Sequence, residues 1–228
     1  MIVAKADGTP WPIEDAAEKL MLRAALPGAR VFDLAAEGLR KAKATGVPAM
    51  DRLALALPAS WCVNSPAPST VLRRWALAPL NEVWMALIDV LEEPRQGALG
   101  AEAVEALLMG IRALGDEPFV VEAASKVLAA LTPEVVPLMP GPARSFVLGG
   151  DAPGDARSFV AIVDWFAEAV RRGHDDLAHH ARTHTEVPLS PAQVLDRLLW
   201  FDSEGHRHFP GKRDVPAGSA AASEGSRP

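Results

Sequence analysis

The chain contains no tyrosine, and in 228 residues it has one cysteine, Cys62. A single cysteine excludes an intrachain disulfide, and with it the small secreted scaffold that depends on such staples. Positive charge is also short: 23 Lys and Arg stand against 29 Asp and Glu, a formal net charge of −6. A protein that neutralises phosphates needs an excess of basic side chains, so nucleic acid is not an expected partner. No apolar run approaches the ~20 residues of a bilayer-spanning helix. The longest, around Leu53 to Val63, is broken by Pro58, so no membrane partner is expected either. The first residues lack the charged and apolar segments of a secretory signal. These absences favour a cytoplasmic location, and the Ala-rich composition points to a bacterial source.

What remains is rich in Ala and Leu and modest in β-branched residues, a composition that suits helices better than strands. Three apolar sets carry the clearest pattern. They are Leu80, Trp84, Leu87, Ile88 and Leu91; Val104, Leu107, Leu108, Ile111 and Leu114; and Val120, Ala124, Val127, Leu128 and Leu131. Each follows the three- and four-residue spacing that places an apolar stripe on one helix face. Glu122, Ser125 and Lys126 fall on the outer side of the third. Asp116 and Thr132, each closely followed by proline, occupy positions suited to N-caps.

On either side the pattern predicts helices over about 14–26, 30–44 and 50–57, with Pro27-Gly28 as a stop signal between the first two. The segment 8–12 reads as extended or turn-like, because Pro10 and Pro12 restrict themselves and their predecessors. Residues 59–68 read as a loop, with Ser69 as the N-cap of a helix through Trp75. Residues 137–154 are dense in proline and glycine, and Ser145 to Leu148 form either a short strand or a core-filling loop. A long helix over 155–172 follows, which Gly173 ends or interrupts, and Ser190-Pro191 starts a last helix through Phe201. The expected architecture is all-α, about nine or ten helices in a bundle or irregular array. Its expected divisions are an N-terminal helical subdomain (1–66), a main helical domain (67–209) and a disordered tail (210–228), whose Gly, Ala, Ser and Pro cannot bury enough apolar area to order it.

Four of the six histidines lie in His174-Asp175-Asp176-Leu177-Ala178-His179-His180-Ala181-Arg182-Thr183-His184. On a helix, Asp176, His180 and His184 are four residues apart and share a face. Two imidazoles and a carboxylate so spaced can ligate a divalent metal such as zinc, and His206 and His208 could add a ligand. If the helix over 155–172 continued unbroken, His180 and His184 would turn toward the core. Cys62 beside Trp61 and Val63 reads as a small buried hydrophobe. The resemblance of 205–212 to a phosphate loop fails on spacing and on Arg213, and 149–154 is no dinucleotide fingerprint. No Gly-x-Ser-x-Gly elbow occurs.

Six tryptophans remain to be placed. Trp75, after Arg73-Arg74, and Trp165, between the polar and apolar sides of its helix, are candidate anchors for a partner, because Trp and Arg are enriched in interface hot spots. Between Glu82 and Glu134 ten acidic residues face three basic ones, while the segment from Gly205 onward carries a net +2. With no catalytic constellation, the expectation is a non-enzymatic interaction or adaptor protein, binding a protein partner or a second copy of itself and needing no cofactor. The alternative is a metal-dependent enzyme or metal-binding protein using Asp176, His180 and His184.

Overall fold

The computed structural model describes residues 1–60, 75, 78–93, 98–138, 141–185, 188–205 and 209. Ten helices and a two-stranded hairpin make up the regular structure of these residues: β1 (Ile2–Ala4), β2 (Pro10–Pro12), α1 (Ala16–Ala24), α2 (Pro27–Ala44), α3 (Ala49–Ala59), α4 (Ala78–Glu92), α5 (Ala101–Leu114), α6 (Pro118–Leu131), α7 (Gly141–Leu148), α8 (Ala156–Arg172), α9 (His174–Thr183) and α10 (Pro191–Ser203). The all-α expectation holds. Cys62, Ser69 and the tail beyond 210 lie outside the described residues, as do most of the loop over 59–68 and the start of the helix leading into Trp75.

Two helices form the interior. α6 packs against α2, α3, α5 and α8, while α10 packs against α1, α7, α8 and α9. The three periodic sets of the middle become α4, α5 and α6, but the third is not amphipathic. From Val120 to Leu131 every residue except Glu122 is buried, including Ser125 and Lys126, which the periodicity places outside. A helix surrounded on all sides must satisfy such polar groups locally. The Ser125 hydroxyl donates to the Glu122 carbonyl at 2.7 Å, and Lys126 Nζ lies 3.0 Å from the Glu122 carboxylate. The small alanines of α6 let its neighbours approach closely. At the α4–α5 contact Gly110 does the same, since a Cβ there would lie 2.6 Å from Leu87 Cδ2.

Several boundaries differ from the sequence reading, each for a local reason. Pro27 does not stop a helix but begins α2, at the position where a missing N–H costs nothing. Asp116 does not cap α6, whose N-cap is Glu117; its carboxylate instead accepts the Ala156 amide at 2.8 Å, forty residues away. Asp155 accepts the Ser158 amide at 2.9 Å, so two carboxylates serve the start of α8. Thr132 ends α6 rather than starting a helix, its hydroxyl donating to the Leu128 carbonyl at 2.8 Å. Ser145 to Leu148 are the end of helix α7, neither strand nor loop. Gly173 ends α8, and α9 follows at once. Ser190 caps α10 as expected, in a reciprocal capping box with Gln193.

The hairpin is the one β element among the described residues. Its register pairs Ile2 with Pro12, Val3 with Trp11 and Ala4 with Pro10. Prolines are tolerated there because each strand of a two-stranded sheet is an edge. Val3 and Trp11 are buried, and three hydrogen bonds tie the hairpin down. The Trp11 indole donates to Asp202 of α10 at 2.8 Å, the Trp165 indole of α8 donates to the Ala4 carbonyl at 2.7 Å, and the Ala6 amide donates to the Val147 carbonyl at 3.1 Å. One continuous core runs from Val3 to Leu199 and includes residues of α1, α2 and α3. No helix among the described residues is long and apolar enough to cross a membrane.

Candidate functional site

Four charged side chains are buried together where α1, α2 and α10 meet: Arg23, Asp33, Asp196 and Arg197. Arg197 is the pivot. Its two terminal nitrogens donate to Asp196, its chain neighbour, and to Asp33 on α2. Asp196 also accepts the Leu138 amide at 2.8 Å, which anchors the segment after α6. Arg23 completes the group, its guanidinium 4.6 Å over the Trp200 ring. Arg197 lies 5.9 Å over Phe32, a weaker contact of the same kind.

Burial and pairing compete at these groups. Burial pushes the Asp196 carboxyl up to about 6, against the pull of Arg197, Arg23 and the Leu138 amide. Burial also brings Arg23 down to about 10, and the positive charge of Arg197 adds to that. For Arg197, burial works against the charge, but Asp33 and Asp196 outweigh it and raise the pKa. The centre is short of acceptors. Nε and Nη1 of Arg23 and Nε of Arg197 are shielded from solvent and have no hydrogen-bond partner among the described residues. A small crevice of about 30 Å³ opens beside them, walled by Arg23, Arg30, Asp33, Arg197, His184, Thr185, Leu20, Ala24 and Leu189.

The histidine helix reaches this crevice from the other side. Leu177 is fully buried and His180 and His184 are half-buried; the unbroken helix on which their expected inward turn depended is interrupted at Gly173. The rings of His180 and His184 are 5.6 Å apart, and His179 stands 5.8 Å from His180. Asp176 is exposed on the first turn of α9. Burial, and then the nearby His184 and His179, hold His180 below the usual imidazole range, with Asp176 opposing them, and its Nδ1 has no partner among the described residues. Among the described residues no three His, Cys, Asp or Glu side chains are grouped so as to hold a metal ion. His206 and His208 lie outside the described residues.

Of the two tryptophans proposed as surface anchors, Trp75 is used inside the fold, whereas Trp165 is half-buried. Trp75 is 1 % exposed, stands edge-on to Trp84 with ring centroids 5.3 Å apart, and donates to the Leu114 carbonyl at 3.4 Å. The Trp165 indole is committed to the hairpin. A larger feature that the sequence did not announce is an open groove of about 630 Å³. Its floor comes from Leu91, Leu131, Pro133, Val135, Ala167 and Val170. Its rim carries Arg40, Lys43 and Arg171 opposite Glu92, Glu93 and Glu134. The rim is braced from behind, where Arg52 of α3 donates twice to Glu92 of α4, at 2.6 and 3.1 Å. Burial works against the Glu92 charge, but Arg52 and Lys43 outweigh it and hold the carboxyl below its usual range.

No family model, curated protein or solved structure matches the chain.

Proposed function

We propose that this chain is a non-enzymatic interaction protein whose groove between α2, α4, α6 and α8 receives a segment of a protein partner, a second copy of the chain included. One observation carries the reading: the groove has an apolar floor inside a rim that carries both signs of charge. Desolvated apolar centres with polar edges are the usual anatomy of protein interfaces. The mixed rim favours a partner segment that is itself amphipathic and bears both acidic and basic side chains.

The test is a photo-crosslinking residue in place of Val135 on the groove floor, with the same residue in place of exposed Met109 as control. The reading expects a cross-linked species from position 135 only, suppressed by Val170→Glu, with mass spectrometry identifying a second copy or another protein. Equal yields from both positions, or none from 135, would remove the groove as an interface.

A second reading, metal binding, rests on the adjacent rings of His180 and His184 with Asp176 as the expected third ligand. It predicts a mass increment in native mass spectrometry after zinc loading, removed by a chelator and lost in His180→Ala. An unchanged mass would rule it out.

A further inference from the structure

The bases on the rim of the groove are already engaged. Arg40 donates twice to Glu37, at 2.7 and 2.9 Å, and Arg171 twice to Glu168, at 2.8 and 2.7 Å. Lys43 Nζ lies 3.3 Å from the Glu92 carboxylate. Lys43 and Arg171 also belong to the last turns of α2 and α8, where positive charge answers the partial negative charge of a helix C-terminus. The carboxylates of the rim are not all so placed. Glu92 is taken by Arg52 and Lys43, but the carboxylates of Glu93 and Glu134 are exposed and make no hydrogen bond or ion pair among the described residues. Arg40 meets Glu134 only as a charge beyond ion-pair distance. Glu93 follows directly on α4, and Glu134 lies just past the end of α6. A carboxylate at a helix C-terminus is repelled by the helix dipole, so neither residue is placed there for stability.

We propose that the partner segment is recognised through lysine or arginine side chains that pair with Glu93 and Glu134, beside an aliphatic side chain seated on the floor of Leu131, Val135 and Val170. This rests on the interaction reading above and names which of the segment's charges the groove selects. A cation arriving there supplies what both carboxylates lack, and the two helix ends favour it as well. The groove of about 630 Å³ has room for a few side chains of such a segment and not for a folded domain. Exposed charge pairs set partner choice and arrival rate more than affinity. The floor therefore holds the segment by burial of apolar surface, and the two glutamates choose it.

Selection of a random peptide display library on the full chain tests this. The enriched peptides are expected to carry Lys or Arg beside an aliphatic residue. An enriched peptide is then labelled with fluorescein and titrated by anisotropy. Reversing both charges, Glu93→Lys with Glu134→Lys, weakens its binding by about tenfold. Glu102→Lys with Glu105→Lys makes the same change in net charge on exposed residues outside the groove, and leaves binding unchanged. All four positions are exposed, so neither pair of substitutions threatens the fold. Val170→Gln, which makes the floor polar without adding charge, weakens binding too. Binding that is lost in Val170→Gln but equal in the two charge-reversed proteins keeps the groove and overturns this inference. Binding indifferent to Val170→Gln removes the groove itself. Enrichment of acidic peptides, or of none, overturns the inference as well.

Discussion

The inward faces of α4 and α5, nearly all of α6, and the ionic centre of α1, α2 and α10 are all buried, yet different information specifies them. In the middle helices each buried side chain has its neighbours three or four residues away, and the contact is prepared by the helix itself. In the centre, Arg197 finds Asp33 at a separation of 164 residues, and nothing local in either segment names the other. Packing in the first region is redundant, with many apolar contacts sharing the load. In the second, a single guanidinium keeps two carboxylates paired.

The sharpest way to break this comparison is Arg197→Met. Removing one member of a buried ionic group leaves the others uncompensated, so a loss of about 3–5 kcal/mol in urea denaturation is expected. In the middle region Leu87→Ala deletes a buried leucine and costs about 2–5 kcal/mol by transfer and cavity. The two costs differ in their response to pH: the cost of Arg197→Met changes with pH, because it alters the surroundings of Asp196, whereas that of Leu87→Ala does not.

The pH dependence separates the regions further. Asp196 has a folded pKa of about 6, above its ordinary value of 3.8. The native state therefore binds this proton more tightly than the unfolded chain. The contribution of this group to stability is greatest below pH 3.8 and declines as pH rises toward 6, by on the order of 3 kcal/mol. Asp196→Asn, which keeps an acceptor for the Leu138 amide, is expected to flatten that slope in denaturation curves taken across the window. A slope unchanged by the substitution would place the titration elsewhere.

Gly110→Ala probes the close approach of α4 and α5. Alanine favours a helix over glycine by about 1 kcal/mol, but its Cβ would meet the buried Leu87 side chain, and overpacking costs about 1–3 kcal/mol. A net loss is expected, smaller in a Leu87→Ala background, where room has been made. Smallest is Ser190→Ala, which removes one half of the α10 capping box and costs about 1 kcal/mol.

The helical class and the helices α4, α5, α6, α8 and α10 were legible because periodicity and caps act within a few residues. Ser190 announced its helix correctly for that reason. Asp116 looked like a cap and is one, but for a helix forty residues on, because the carboxylate answers whichever amide the tertiary structure brings to it. Thr132 and Pro27 show the converse, since the same residue types serve helix starts and helix ends. The hairpin was not predicted because three-residue strands are too short to show alternation and its ties come from Trp165, Asp202 and Val147. Of the candidate site residues, His180 and His184 were expected to turn inward only if the helix ran unbroken past Gly173, which it does not. The crevice that His184 borders was not legible, since its other walls include residues of α1, α2 and α10. Trp75 was a candidate anchor because Arg73-Arg74 beside it fits the composition of interface hot spots, but its ring is spent on Trp84 and the core.

The central proposal is that the groove between α2, α4, α6 and α8 receives a segment of a protein partner. Photo-crosslinking from position 135 on its floor tests that most directly, with exposed Met109 as the control position. A cross-linked species from position 135 alone, suppressed by Val170→Glu, is the predicted result. Equal yields from both positions, or none from position 135, would contradict it.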